Sequence, residues 1–161
     1  LASPDRANVV FAGDGCYLMM NSELATAVMM GISMTLIITD NRGYGCINRL
    51  QAATGGAPFN NLLADAYHEI LPEIDYAAHA ASLGARSQKV SSLDELEEAV
   101  QMASGRTGVD VIVIDTDPGP STEAGGVWWD VAVPAISDRG SVNSAYENYV
   151  QGRKRQEKGD K

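Results

Sequence analysis

The chain has 161 residues, of which 45% are apolar, and this is enough to bury the core of one domain. Its formal net charge of −9 argues against nucleic-acid binding, and no apolar run approaches the roughly 20 residues of a membrane-spanning helix. Cys16 and Cys46 show no metal-binding spacing, which is typical of reduced cysteines. Leu1–Asp5 does not resemble a targeting leader. We therefore expect a cytoplasmic protein with neither a membrane nor a nucleic-acid partner.

The first forty residues alternate between apolar runs and a helical pattern. Ala7–Ala12 is apolar without alternation, which predicts a buried central strand. Gly15–Gly31 carries apolar side chains at helical spacing, with Asn21 and Ser22 as candidate caps, and predicts the first helix. Met34–Thr39 is a second apolar run and predicts the second strand. A strand, a helix and a strand in this order form a parallel βαβ unit.

The rest of the chain continues this alternation. Asp75 is a candidate N-cap and Gly84 a candidate C-terminal stop of one helix, while Ser92 and Glu95 form a capping box for the next. The predicted elements are a helix over Tyr76–Leu83, a strand over Arg86–Val90, a helix over Leu93–Ser104, a buried strand over Val109–Asp115 and a terminal helix over Ser141–Gln156. Strands that alternate with helices predict an α/β fold, a doubly wound parallel sheet with helices on both faces.

We divide the chain into a main domain over residues 1–138 and a C-terminal helix with a polar tail over residues 139–161. Arg153–Lys161 is rich in charge and is expected to fray. His79 lies inside an Ala-rich helical pattern, and a lone helical histidine of this kind is more often a packing or surface residue than a catalyst.

Two segments leave two interpretations open, and a third is compatible with one. Asn41–Gly56 is polar, and its side chains either face a polar substrate or belong to a solvated loop and a short helix. Those that could face a substrate are Arg42, Tyr44, Asn48, Arg49 and Gln51. Leu62–Ile70 is compatible with a short helical stretch. The adjacent Trp128 and Trp129 either pack at the edge of the core or line a pocket or an interface.

The βαβ unit brings two polar side chains to one edge of the predicted sheet. Asp14 stands between Gly13 and Gly15 after the first strand, and Asn41 follows the second. Carboxylate, amide and carbonyl oxygens are ligands for magnesium or calcium, and the nearby helix N-terminus attracts phosphate oxygens. The glycines let another group approach the backbone closely. The pattern indicates a divalent metal that bridges a diphosphate, although a Gly-Asp-Gly turn also occurs as plain structural punctuation.

Gly13-Asp14-Gly15, followed after 25 residues by Asn41 and then Gly43, resembles the signature of thiamine-diphosphate-dependent enzymes. The resemblance implies that the Asp14 carboxylate, the Asn41 side chain and the Gly43 carbonyl hold the Mg²⁺ that anchors the cofactor diphosphate. The implied cofactor contacts are Gly13, Asp14, Gly15, Cys16, Asn41, Gly43, Tyr44 and Gly45. The family often has two consecutive asparagines at the second motif, and Asp40 stands here at the first of these positions.

Three segments resemble one branch of this family, the hydrolases that open trihydroxycyclohexane-1,2-dione in myo-inositol degradation. They are GDGCYLMMNSELATAV (residues 13–28), NRGYGCINRLQ (residues 41–51) and GGVWWDVAV (residues 125–133). The branch implies hydrolysis of a C–C bond, with thiamine diphosphate and magnesium as cofactors. An acetolactate-synthase-like or 2-oxo acid decarboxylase activity is the alternative, but Ile47 and Asn48 stand where pyruvate-decarboxylase-like relatives have an acid.

The resemblance covers the diphosphate-binding half of such an enzyme. It implies a pyrimidine-binding domain, on the same or another chain, in a homodimer or homotetramer that acts on a small molecule. A glutamate of that second domain activates the cofactor in the family, and no glutamate of this chain matches the role, so no catalytic residue is assigned. Because the chain begins at its first predicted strand, we expect a piece of a longer enzyme, inactive alone and with an exposed apolar docking patch. A non-catalytic diphosphate-binding subunit and a magnesium-dependent phosphatase are the alternatives from other classes.

Overall fold

A parallel sheet organises the first half of the molecule. The structure, a computed structural model, describes residues 6–120 and 131–156. Its strands are β1 (Val9–Gly13), β2 (Met34–Asp40), β3 (Arg86–Val90) and β4 (Val109–Asp115). They pair in the order β1-β2-β4-β3, and every pair is parallel. The register sets Gly13 opposite Thr39 and Asp40 opposite Asp115, so the strands end together at one edge, called here the carboxyl edge.

Six α-helices lie in the described residues. They are α1 (Asp14–Met20), α2 (Ser22–Met29), α3 (Gly45–Ala53), α4 (Tyr76–Ser82), α5 (Leu93–Ser104) and α6 (Gly140–Gln156). The chain divides into two compact units. Of the described residues, 6–44 and 68–118 form the first unit, which holds the sheet with α1, α2, α4 and α5. Residues 45–67, 119–120 and 131–156 form the second, which holds α3 and α6.

Both faces of the sheet in the first unit are covered by helices. On one face, Ile38 and Val111 are buried with Tyr17 of α1, Leu24 of α2 and Ala80 of α4. On the other face, a smaller cluster joins strand and α5 residues, namely Val90, Ala99 and Ile112 with Leu96, Val100 and Ile114 beside them. Alternate residues of β4 therefore serve opposite faces, as the two-residue period of a strand requires. This arrangement confirms the predicted doubly wound α/β fold.

Two predicted caps of the first unit are present, one of them in altered form. The Asp75 carboxylate accepts the Ala78 N–H at 2.9 Å and begins α4. Ser92 Oγ accepts the Glu95 N–H at 3.1 Å, as a capping box requires. The return bond differs from the prediction, because Glu95 reaches the N–H and the hydroxyl of Ser91, at 2.8 and 2.9 Å, instead of Ser92. These bonds lower the pKa of Glu95.

The prediction of a buried central strand at Ala7–Ala12 is wrong in its burial. β1 pairs only with β2 in the described chain, and Phe11 is 69% exposed. The apolar run was read as buried because sequence alone does not show what covers a strand. Met19 and Met29 are also largely exposed, so the first unit carries the apolar surface that we expected, while its role in docking stays a prediction.

Three further segments differ from their predicted form. The single helix over Gly15–Gly31 is split after Met20, where the Asn21 amide donates back to the Leu18 carbonyl at 2.8 Å instead of capping α2. Only Leu63–Asp65 forms a 3₁₀ turn within the segment 62–70. Residues 153–156, predicted to fray, belong to α6. Trp128 and Trp129 lie outside the described residues, so their two interpretations stay open.

The second unit is tied together by a close contact between the end of α3 and the start of α6. Gly55 has φ of +82°, and a side chain there would overlap the backbone of Ser141. The Ser141 hydroxyl donates to the Gly55 carbonyl at 2.7 Å. Among the described residues, no helix is both long and apolar enough to cross a bilayer.

Candidate metal centre

The site is built where β1 and β2 end. Asp14 begins α1 immediately after β1, and only 2% of its surface is exposed. Its Oδ2 accepts the Gly43 N–H at 2.8 Å, and its Oδ1 accepts the Asn41 N–H at 3.3 Å. The predicted juxtaposition of the two motifs is therefore present, because parallel strands deliver both to the carboxyl edge.

The Asn41 side-chain amide and the Gly43 carbonyl lie beside this carboxylate. One side of the amide is 3.3 Å from Asp14 Oδ1 and 3.0 Å from the Gly43 carbonyl oxygen. With the amide oxygen on this side, carboxylate, amide and carbonyl oxygens stand together, and this ligand set suits Mg²⁺ or Ca²⁺. When the amide is turned by half a revolution, its NH₂ group donates to both oxygens instead. The donor set thus fits a hard divalent ion.

The loop that carries Asn41 and Gly43, called here the metal-site loop, has an unusual backbone. Arg42 has φ of +59° and Gly43 has φ of +153°, both in a region that residues with side chains rarely adopt. The turn that results directs the N–H groups of Asn41 and Gly43 to the same carboxylate.

The two glycines that flank Asp14 have different surroundings. A side chain at Gly15 would lie 2.6 Å from the Tyr44 ring, so a larger residue there would displace this ring. A side chain at Gly13 would meet nothing within 4 Å. The open space beside Gly13 is room that a ligand of this edge can occupy.

A family comparison agrees with this geometry. Residues 1–114 match the family described as thiamine pyrophosphate enzyme, C-terminal TPP binding domain. The chain belongs to this family. Thiamine pyrophosphate is another name for thiamine diphosphate, so the family predicted from the two motifs is confirmed.

Individual relatives are longer than this chain. It is 37% identical over 148 residues to 3D-(3,5/4)-trihydroxycyclohexane-1,2-dione hydrolase of Halalkalibacterium halodurans, a match that covers 91% of this chain and 23% of that protein. The hydrolase of the same name from Geobacillus thermodenitrificans is 35% identical over 154 residues, 92% of this chain and 24% of that protein. The chain thus spans about a quarter of the length of these curated relatives.

A solved structure shows the same fold. The benzoylformate decarboxylase of Polynucleobacter necessarius superposes with a TM-score of 0.61 and 25% identity, over 74% of this chain and 21% of that one. The sheet and helices of the first unit are thus those of a thiamine pyrophosphate enzyme domain.

Within this family domain, the structure places the predicted contact residues as follows. Gly13, Asp14, Gly15, Asn41, Gly43 and Tyr44 lie together in the first unit at the carboxyl edge. Cys16 lies on α1 and is exposed, and Gly45 begins α3 in the second unit and is buried. Cys16 and Cys46 are both free thiols.

Among the side chains considered for a substrate, Gln51 has a structural role. Its amide donates to the Ala57 carbonyl at 2.5 Å, and its oxygen accepts from the Asn61 amide. These bonds hold the loop that follows α3, which favours the loop interpretation for this residue. The described residues contain no cluster of three His, Cys, Asp or Glu side chains that could hold a metal, so the carboxylate-rich site of a phosphatase is not found there.

Sequence reasoning assigned no role in the site to two residues near the carboxylate. Tyr76 of α4 is 2% exposed. Burial, then the charges of Asp14 and Asp40, raise its pKa to about 12. Tyr76 stacks edge-to-face on Tyr17, whose hydroxyl lies 2.8 Å from His79 Nδ1, and the role of His79 stays a prediction. Asp40, buried at the end of β2, is the second residue. An aspartate can accept the backbone N–H two residues further on, so its spacing from Arg42 was the sequence feature that could have indicated this contact.

Proposed function

We propose that this chain is the diphosphate-binding part of a thiamine-diphosphate-dependent enzyme and that it holds Mg²⁺ through Asp14, Asn41 and Gly43. The observation that carries the proposal is the juxtaposition of the Asp14 carboxylate, the Asn41 side-chain amide and the Gly43 carbonyl, with the amide 3.3 Å and 3.0 Å from the other two. Mg²⁺ keeps several ligands from water and from substrate phosphates, so three protein oxygens are a sufficient share of its shell.

The residues around the metal provide the proposed cofactor contacts. The space beside Gly13 leaves room for a phosphate, and Gly15, Cys16, Tyr44 and Gly45 complete the contact set. The buried Asp14 is held by two backbone N–H groups, which fix the direction of its oxygens before any ion arrives. When bound, the cofactor supplies a thiazolium carbon nucleophile and an electron sink, while the protein supplies orientation and electrostatics.

The proposed reaction of the complete enzyme is hydrolysis of a C–C bond in a polyhydroxylated cyclic 1,2-dione, as part of myo-inositol degradation. Support comes from the identity of 35–37% with hydrolases of trihydroxycyclohexane-1,2-dione over more than nine-tenths of this chain. The second candidate is decarboxylation of a 2-oxo acid, which the fold similarity to a benzoylformate decarboxylase favours. The two candidates differ in one product, because only the second releases carbon dioxide.

The complete enzyme also needs partners. We propose that a pyrimidine-binding domain, on the same or another chain, covers the remaining part of the cofactor, within a homodimer or homotetramer. The matched family is the C-terminal domain of such enzymes, and the exposed apolar residues Phe11, Met19 and Met29 offer surface for docking. A subunit that binds diphosphate without chemistry of its own is the alternative.

Calorimetry and product analysis test the proposal together. Thiamine diphosphate is titrated into the complete enzyme with Mg²⁺ and again with excess EDTA, and we expect tight binding only with the metal. The enzyme is then incubated with the cyclic dione and with benzoylformate, while carbon dioxide is measured. Binding that ignores the metal would overturn the proposed site, and carbon dioxide release from benzoylformate without dione turnover would favour the decarboxylase.

A further inference from the structure

Both carboxylate oxygens of the buried Asp40 contact a single residue, Arg42. It is the last residue of β2, and its side chain is 1% exposed. Its Oδ1 accepts the Arg42 backbone N–H at 3.0 Å. Its Oδ2 lies 3.2 Å from Arg42 Nε, a charge contact without the geometry of a hydrogen bond.

The position of Asp40 is unfavourable for a carboxylate. It is buried, and two other carboxylates, those of Asp14 and Asp115, lie near it, while the Arg42 N–H and guanidinium are its favourable partners. A neutral acceptor of the same size could take the Arg42 N–H without bringing a third negative charge to this edge. The presence of a charged residue at position 40, in contact with Arg42, therefore needs an explanation other than packing.

The backbone of the metal-site loop supplies that explanation. The N–H groups of three consecutive residues are held by two carboxylates: Asn41 and Gly43 donate to Asp14, and Arg42 between them donates to Asp40. Arg42 has φ of +59°, which costs about 1–3 kcal/mol for a residue with a side chain and persists only where its surroundings impose it. Asp40 makes two contacts with Arg42 at this turn, one with its N–H and one with its guanidinium.

We propose that Asp40 is a positioning residue that holds Arg42 in the left-handed conformation, so that the Asn41 amide oxygen and the Gly43 carbonyl oxygen face Asp14. This inference rests on the proposed metal site and extends it to a residue that would not touch the ion. Without Asp40, the turn relaxes and the three oxygens no longer converge.

The test measures the affinity for Mn²⁺ by electron paramagnetic resonance, in the complete enzyme with saturating thiamine diphosphate. We expect Asp40→Ala to weaken Mn²⁺ binding about 10- to 100-fold, as loss of a partner behind a metal ligand typically does. Glycine adopts positive φ without a steric penalty, so Arg42→Gly in the Asp40→Ala background should restore most of the affinity. Arg42→Ala in the same background is the matched control and should restore none.

Two controls separate positioning from simple charge. Asp40→Asn removes the charge but keeps an acceptor for the Arg42 N–H, so it should bind Mn²⁺ more tightly than Asp40→Ala. Asp110→Ala removes another buried aspartate that pairs with an arginine in the same sheet, and it should leave Mn²⁺ affinity unchanged. Equal losses in Asp40→Asn and Asp40→Ala, or no rescue by Arg42→Gly, would overturn the proposal.

A second pair of variants covers the case in which Asp40→Ala does not fold. Arg42→Gly and Arg42→Val change a side chain that is 41% exposed. Valine strongly disfavours positive φ, so Arg42→Val should bind Mn²⁺ much more weakly than Arg42→Gly, and equal affinities would contradict the proposal. If the wild type binds no Mn²⁺, or if Asp14→Ala binds Mn²⁺ as tightly as the wild type does, the proposed metal site itself is wrong. If Asp14→Ala loses Mn²⁺ affinity as expected but Asp40→Ala does not, only the role of Asp40 is refuted.

Discussion

At the two ends of the same sheet, a buried aspartate pairs with an arginine, and the two pairs differ in how completely they are satisfied. Asp110, near the start of β4, accepts Arg86 Nε at 3.0 Å and Nη2 at 2.6 Å. The same guanidinium also donates to the Thr107 carbonyl at 2.7 Å. Every contact in this group is a donor facing an acceptor, and the group is complete without any ligand.

The carboxyl edge lacks this completeness. Asp40 Oδ2 is buried and meets the Arg42 guanidinium without a hydrogen bond, while one side of the Asn41 amide lies against Asp14 Oδ1 and the Gly43 carbonyl oxygen. Buried polar groups are almost always hydrogen-bonded, so the Asp40 oxygen makes the carboxyl edge the less completely satisfied of the two. The comparison therefore separates an aspartate that stabilises the fold from aspartates that serve the proposed metal site.

The largest expected effect is on the metal ligands. Asp14→Ala or Asn41→Ala in the complete enzyme should weaken magnesium-dependent thiamine diphosphate binding more than about 100-fold, since even partners behind a metal ligand cost 10- to 100-fold. Calorimetric titration with Mg²⁺ measures the change, and circular dichroism checks that the fold survives. Unchanged cofactor affinity in both variants would mean that the carboxyl edge, like the edge with Asp110, holds no metal site.

Gly43→Ala should have the next largest effect. Its ligand is a backbone carbonyl, which alanine keeps, but φ of +153° is unfavourable for alanine. A strain of about 1–3 kcal/mol would shift the carbonyl or lower its affinity for the cation about tenfold. Gly105→Ala, at a cap with φ of −90°, is the control and should bind the cofactor as the wild type does. Equal behaviour of both variants would mean that the Gly43 backbone is not part of the site.

Asp110→Ala tests the other side of the comparison. It leaves the Arg86 guanidinium without its carboxylate, and because Arg86 is half exposed we expect a loss of about 1–3 kcal/mol in the free energy of unfolding. Cofactor affinity should not change. Lys89→Ala, which breaks the exposed pair with Asp115, should cost less than about 1 kcal/mol. Urea denaturation compares the two, and a weaker cofactor complex in Asp110→Ala would contradict the assignment.

Features of the site that depend only on the order of strands and helices could be predicted from the sequence, whereas those that depend on side-chain packing could not. The meeting of Asp14 and Asn41 was predictable, because strand ends and right-handed crossovers fix it without knowledge of side-chain packing. The clamp of Asp40 on Arg42 was not, because an Asp two residues before an Arg is common and only the backbone angle shows its use. The exposure of Phe11 was also hidden, since an apolar run looks the same whether or not another layer covers it.

The smallest expected effect is at Gly13, where the site meets empty space. A side chain at this position meets no atom within 4 Å, and the residue is the N-cap of α1 with φ of −69°, which alanine adopts freely. Gly13→Ala should therefore change the free energy of unfolding without cofactor by only about 0.5 kcal/mol. If the cofactor diphosphate occupies the space beside Gly13, the added methyl group weakens thiamine diphosphate binding severalfold while Mn²⁺ binding without cofactor stays the same.

Gly15→Ala provides the contrast, because its methyl group would displace the Tyr44 ring and alter the site before any ligand arrives. Thermal unfolding without ligands and calorimetry with cofactor measure both variants, and a Gly13→Ala enzyme that binds the cofactor as tightly as the wild type would place the diphosphate elsewhere along this edge.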